Sequence, residues 1–204
     1  MMHRRASRVL IALALFSLAA GRAEAQQFGV KGGVNVTDIA WGDELVLETP
    51  WAWGAVGGMF LRFQPAKMLS LQAEALISQL VIDFSAEGAD VKNTLTNLQV
   101  PVLVSYTIRS GSSVRVRALG GGAMDIVLWA RENVSGTINN IRDAVSPWSA
   151  SLVAAADVEW GRWVLDGRYI FGLTNIYQTF EDELGFPSLT AKQRTIQGTV
   201  GWRF

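Results

Sequence analysis

The sequence predicts an all-β fold, an eight-stranded antiparallel up-and-down transmembrane β-barrel that follows a cleaved signal peptide. Three observations carry that expectation. Residues Lys192 to Phe204 alternate strictly, with Ile196, Gly198, Val200, Trp202 and Phe204 on one face. Thr195, Gln197, Thr199, Gly201 and Arg203 occupy the other face, which is the period-2 signature of a strand with one apolar side. A secretion-type leader stands at the other end of the chain, so lipid is the apolar solvent such a face requires. Finally, the connections between strands alternate long and short.

The leader comprises residues 1–25. Arg4, Arg5 and Arg8 form a positive n-region, Val9 to Ala20 a short apolar core, and Ala23-Glu24-Ala25 a small-x-small cleavage pattern. A bilayer-spanning helix needs about 20 apolar residues, and this run is shorter. Cleavage after Ala25 therefore leaves a single domain over residues 26–204. It also removes His3, the one histidine, and leaves 14 basic against 17 acidic residues with no cysteine. That mild acidity argues against nucleic acid as a partner, which would call for a basic patch.

The first strand, Phe28 to Val36, sets Phe28, Val30, Gly32, Val34 and Val36 against Gly29, Lys31, Gly33 and Asn35. The second, Trp51 to Phe63, places Trp51, Trp53, Ala55, Gly57, Met59, Leu61 and Phe63 opposite Phe60 and Arg62. In the third, Leu69 to about Leu80, Leu69, Leu71, Ala73, Ala75 and Ile77 oppose Ser70, Gln72, Glu74 and Ser78. The fourth, about Leu95 to Ile108, opposes Leu98, Val100, Val102, Val104 and Tyr106 to Gln99, Pro101, Leu103 and Ser105.

The fifth, Val114 to about Val127, has Val116, Ala118, Met124 and Ile126 facing away from Arg115, Arg117 and Asp125. In the sixth, Trp148 to Trp160, the even-numbered residues are apolar and Ser149, Ser151, Asp157 and Glu159 lie opposite. The seventh, Trp163 to about Asn175, sets Trp163, Leu165, Tyr169, Phe171 and Leu173 against Asp166, Arg168 and Thr174. The C-terminal strand is the eighth. Each approaches the length of a tilted membrane strand, about 9–11 residues.

Long connections are expected at Thr37–Pro50, Ile82–Thr94, Leu128–Pro147 and Ile176–Ala191, with short ones at Gln64–Met68, Arg109–Ser113 and Gly161–Arg162. Tight periplasmic turns and longer external loops give this alternation in bacterial outer-membrane barrels. Aromatic placement agrees. Phe28, Phe63, Tyr106, Trp160, Trp163, Trp202 and Phe204 fall at periplasmic strand ends, and Trp51, Trp53 and Trp148 at external ends. Two aromatic girdles at headgroup level are the expectation for a spanning barrel. The localisation expected is the bacterial outer membrane, with its lipid as the first partner.

The inward face carries Lys31, Arg62, Glu74, Arg115, Arg117, Asp125, Asp157, Glu159, Asp166, Arg168 and Arg203. The bore of an eight-stranded barrel is just wide enough for side chains to fill, and buried charges are tolerable there when paired. Arg115 and Arg117 are expected at the depth of Asp157 and Glu159, and Asp166 near Arg203. A structural salt-bridge plug is favoured over an ion-selective path because of the narrow bore.

Several segments resemble those of PorT-like outer-membrane β-barrel proteins, within the small eight-stranded porin-family barrels. Asn97–Ile108 (NLQVPVLVSYTI) is similar to that family's fourth strand, with Pro101 at the matching place, and VRALGGGAMDIVL to its Gly-rich fifth strand. Arg168–Ile176 (RYIFGLTNI) resembles the seventh strand, and the final GWRF the terminal aromatic strand. The resemblance spans essentially the whole chain after the leader. It implies that Val200, Trp202 and Phe204 form a signal for the barrel-assembly machinery, which becomes a second partner. Family members include barrels linked to protein secretion and others resembling small adhesive or structural barrels.

No catalytic, cofactor or metal site is expected. Without histidine after the leader a Ser–His–Asp triad is impossible, and without histidine or cysteine a zinc site is disfavoured. The acidic run Glu181-Asp182-Glu183 reads as a solvated surface more readily than a calcium site. Gly120-Gly121-Gly122 lies within a strand, where glycines serve curvature or close packing. The favoured function is a non-enzymatic outer-membrane barrel with a structural or surface-binding role toward an extracellular or envelope protein. Candidate contact residues are Trp41, Asp43, Glu44, Trp129, Arg131, Glu132 and Glu181 on expected external loops. A narrow ion or small-solute pore and an accessory barrel in protein export are the alternatives.

Overall fold

The computed structural model describes residues 26–41, 52–86, 89–111, 113–134, 137–140, 142, 146–174 and 191–204. The leader, Trp51, and the contact candidates Asp43, Glu44 and Glu181 lie outside these residues. The strands among them are β1 (Gln26–Trp41), β2 (Ala52–Ala66), β3 (Leu69–Ala86), β4 (Ala89–Ser110), β5 (Val114–Val134), β6 (Thr137–Asn140), β7 (Trp148–Trp160), β8 (Trp163–Gly172) and β9 (Ala191–Arg203). All pairings are antiparallel.

Eight of these strands close a ring in the order β1–β2–β3–β4–β5–β7–β8–β9 and back to β1, while β6 adds to β5 outside the ring. The fold is the expected all-β eight-stranded antiparallel barrel. Closure satisfies the backbone of the first and last strands without leaving a free edge, as a barrel in lipid requires. At the seam Val30 pairs with Trp202, and the Phe204 amide donates to the Phe28 carbonyl at 2.9 Å.

Alternation sorts the side chains. Val34, Met59, Leu71, Ile77, Val102, Val104, Leu152, Leu165, Ile196 and Val200 are exposed on the outside. Their inward neighbours along the strands, such as Asn35, Gln72, Leu103, Ser105 and Gln197, are buried in the bore. An outer face this apolar is inverted relative to a protein in water, where such side chains are mostly covered.

Two connections expected as loops are strand. β3 and β4 run on to Ala86 and from Ala89, pairing as far as Ala86↔Ala89, so the segment read as a loop at 82–94 is a protruding hairpin. β5 likewise continues to Val134 and turns into β6, pairing Arg131 with Asn140 and Glu132 with Asn139. Trp129, Arg131 and Glu132 are therefore strand residues, and Trp41 ends β1. The period-2 signal fades where both faces of a hairpin meet water, and Asp, Glu, Gly and Asn then read as loop. A register shift leaves Leu128 without a partner between Thr96↔Trp129 and Asn97↔Val127; such bulges re-aim the strand beyond them.

The opposite end of the barrel has the tight turns. The β7–β8 turn is Gly161-Arg162, and Gly161 adopts φ 59°, a conformation costly for any residue with a Cβ.

Candidate functional site: the charged interior

The strands bring ionisable side chains of the inward register together in the half of the bore nearer the tight turns. One cluster is built from Arg62 on β2, Arg117 on β5, and Asp157 and Glu159 on β7. Arg117 faces Asp157 and Arg115 faces Glu159 in the β5–β7 register. Arg117 Nε donates to Asp157 Oδ1 at 2.8 Å, and Arg117 Nη2 lies 2.6 Å from Glu159 Oε2. Arg115 reaches Glu159 at 3.7 Å from the turn end.

Arg62 comes from across the bore. Its Nη2 donates to Asp157 Oδ2 at 3.1 Å and its Nη1 to Glu159 Oε2 at 3.2 Å. β2 and β7 are four positions apart in the ring by either route, so this pair spans the barrel.

The second cluster joins Lys31 on β1, Glu74 on β3, and Asp166 and Arg168 on β8. Arg168 Nη1 donates to Glu74 Oε2 at 3.0 Å, again between strands four positions apart by either route. Arg168 Nε donates to Asp166 Oδ1 at 2.8 Å, and Lys31 Nζ to Glu74 Oε1 at 2.9 Å. Lys31 also lies 3.9 Å from Asp166. Gln72 joins the clusters, accepting from Arg62 Nε at 2.8 Å and donating to Glu74 Oε1 at 2.5 Å.

Phe60 sits between the two sets. Its ring centroid is 5.6 Å from Arg62 Cζ and 5.8 Å from Lys31 Nζ, within cation–π range of both. The sequence places Phe60 inward without giving it a role; an aromatic two residues from Arg62 on a charged register is the signal for one. Gly29 leaves the room it needs, because a Cβ there would stand 2.5 Å from Phe60 Cε1.

Two expectations about the interior change. Asp166 does not meet Arg203. The tight turn pins Trp163 opposite Trp160, and the β8–β9 register sets it opposite Trp202, so Arg203 lies one residue beyond that pair while Asp166 faces Thr199. Those four residues are about 13 Å along a strand. Arg203 instead pairs with Glu159 and donates to the Gly161 carbonyl at 3.1 Å. Asp125 is buried in the bore but apart from both clusters, opposite Gln99 in the β4–β5 register.

Apolar groups fill the rest of the adjoining space. Leu103, Leu119, Ala123, Val153 and Ile170 form a buried cluster inside the barrel, contributed by β4, β5, β7 and β8. Asn35 Nδ2 donates to Ser78 Oγ at 2.8 Å, and the hydroxyls of Thr37 and Thr195 meet at 2.7 Å. The arrangement is a bridged and packed interior. It offers buried charges partners on opposite walls, which is the condition under which such charges are tolerated.

On the outside, Phe28, Tyr106, Trp160, Trp163 and Phe204 are exposed at the tight-turn end, with Phe63 and Trp202 half-buried. Phe28 and Phe204 stack at 5.6 Å, and Trp163 meets Trp202 edge-on at 4.8 Å. Trp53 and Trp148 are exposed toward the other end, where Trp129 is also exposed. Among the described residues no group of three or more acidic, histidine or cysteine side chains is placed to hold a metal ion.

The chain matches a family model described as the outer membrane protein beta-barrel domain over residues 22–178. No curated protein sequence matches it. Among solved structures, Neisserial surface protein A (NspA) is similar, with TM-score 0.51 and 13% identity over 87% of this chain and 97% of that one. OprG from Pseudomonas aeruginosa gives 0.47 and 14% over 88% and 96%. Ail, the attachment invasion locus protein of Yersinia pestis, gives 0.46 and 12% over 88% and 99%. At such identities the likeness to NspA is one of fold.

Proposed function

This chain belongs to the outer membrane protein beta-barrel domain family, and from that premise we propose that it is a plugged, non-enzymatic barrel whose role lies at its external surface. The observation that carries the reading is the pairing of Arg62 with Asp157 across the full width of the bore at 3.1 Å. A conducting eight-stranded barrel would need that space for ions and water, and here guanidinium and carboxylate groups occupy it. The Arg168–Glu74 pair makes a second such crossing.

Paired β structure continues beyond the barrel wall. The β3–β4 hairpin and the β5–β6 extension present strands at the external end, a base for structural contacts or for binding an extracellular or envelope protein. The outer aromatics at both ends suit two headgroup levels of outer-membrane lipid, the role proposed for the girdle residues. The closing strand, with Val200, Trp202 and Phe204 on its outer register, suits recognition by the barrel-assembly machinery. The finer placement among PorT-like barrels rests on the segments at residues 97–108 and 168–176. Catalysis of the histidine-dependent kind has no residue to run on after the leader.

A swelling assay tests the reading. Proteoliposomes carrying the folded chain are expected to swell in isotonic arabinose no faster than empty liposomes. A swelling rate that rises with protein content would make the barrel a solute pore.

A further inference from the structure

The two charge clusters differ in balance. Lys31 and Arg168 face Glu74 and Asp166, two cations against two anions. Around Glu159, by contrast, four guanidinium groups converge, those of Arg62, Arg115, Arg117 and Arg203. Asp157 is the other carboxylate in contact, taking Arg62 and Arg117. Four cations meet two anions there.

The surplus is placed where a ligand can reach it. Arg62 and Arg117 are buried and committed to Asp157, whereas the side chains of Arg115 and Arg203 are 33% and 23% exposed. Both line an open pocket of about 400 Å³ at the tight-turn mouth, together with Glu159, Ser113, Trp160 and Gly161. Exposed Lys67 and Arg162 stand on the turns of the same rim, and exposed Arg109 at the end of β4. Among the described residues of that rim, Glu159 is the one side-chain carboxylate.

We propose that this pocket is a binding site for a phosphate group, held between the Arg115 and Arg203 guanidinium groups. Guanidinium forks match the oxygens of phosphate in charge and geometry, and one shared carboxylate, with the Gly161 carbonyl on Arg203, leaves N–H donors over on both forks. The phosphate has two sources with the same chemistry, a phospholipid headgroup of the periplasmic leaflet or a soluble phosphate. The lipid has a route in, because Trp160 faces outward at the rim, 67% exposed as a residue, beside the pocket. This site is independent of the external role proposed above.

The test uses the refolded full-length mature chain in neutral, phosphate-free detergent micelles, reading the indole N–H resonance of Trp160. Inorganic phosphate is titrated in one arm and phosphatidylglycerol in the other, against matched sodium chloride. A saturable shift in either arm, weakened at least tenfold in R115Q/R203Q, is the expected result. A shift in the lipid arm alone identifies the headgroup as the source, and in the phosphate arm alone a soluble anion. No saturable shift in either arm, or one unchanged in the folded double variant, overturns the proposal. Should R115Q/R203Q fail to show the heat-dependent gel shift of a folded barrel, R203Q alone replaces it, since Arg62 and Arg117 still neutralise Glu159.

Discussion

Arg62 Nη2 on β2 lies 3.1 Å from Asp157 Oδ2 on β7, although the two strands stand on opposite sides of the ring. A guanidinium that crosses the bore ties together walls that backbone hydrogen bonds connect only the long way round. Arg62→Ala leaves Asp157 and Glu159 with Arg117 but takes a donor from each and from Gln72 Oε1. Buried acceptors left short of a partner typically cost about 1–3 kcal/mol, and Arg62→Ala is expected to lower unfolding stability by about that amount. Arg62→Ala/Asp157→Ala should lose clearly less than the sum of the single variants. Urea unfolding in lipid vesicles reads both values, and strict additivity would deny the coupling.

Gln72 makes the clusters one network, accepting from Arg62 and donating to Glu74. Gln72→Leu keeps the volume but removes both contacts, so buried donors and acceptors on either side lose a partner. The expected loss is about 1–3 kcal/mol by the same urea measurement. A neutral outcome would mean the two clusters act separately.

Glycine substitutions separate the inside of the wall from the outside. A Cβ at Gly29 would stand 2.5 Å from Phe60 Cε1 and 2.6 Å from the Trp202 carbonyl, both at the closing seam. A Cβ at Gly167 meets nothing within 4 Å on the outer face. Gly29→Ala is expected to destabilise by about 1–3 kcal/mol through overpacking. Gly167→Ala should be neutral or stabilising by up to about 1 kcal/mol. Equal effects at the two positions would contradict the placement of Phe60 in the bore.

The Trp163–Trp202 contact couples β8 to β9 beside the end of the barrel, with ring centroids 4.8 Å apart. Edge-to-face pairs contribute about 0.5–1.5 kcal/mol beyond the area they bury. A double-mutant cycle with Trp163→Leu and Trp202→Leu should return a coupling in that range. Zero coupling would mean the rings are held by lipid rather than by each other.

Much of this barrel was legible in the sequence because lipid outside and a packed bore inside impose one period on every strand. Val102 and Leu103, or Val158 and Glu159, fall on opposite faces wherever the strand runs between those two environments. The Arg117–Asp157 pair was legible too, because β5 and β7 are neighbours and their register follows from strand ends. Arg62–Asp157 was not, since pairing across the bore depends on side-chain reach and ring order rather than on spacing along the chain. The separation of Asp166 from Arg203 was not legible, because the β8–β9 register, which sets Asp166 opposite Thr199, depends on barrel closure rather than on a tight turn between those strands. The strand character of Trp129, Arg131 and Glu132 was not legible, because hairpins in water keep their hydrogen bonds while losing the alternation that marks a strand.

The most direct test of the plugged interior is single-channel recording of the folded protein in a planar lipid bilayer. The Arg62–Asp157 and Arg168–Glu74 crossings predict silence across the accessible voltage range. Reproducible discrete conductance steps from the folded wild-type chain, with ion selectivity altered by Arg62→Ala, would contradict them.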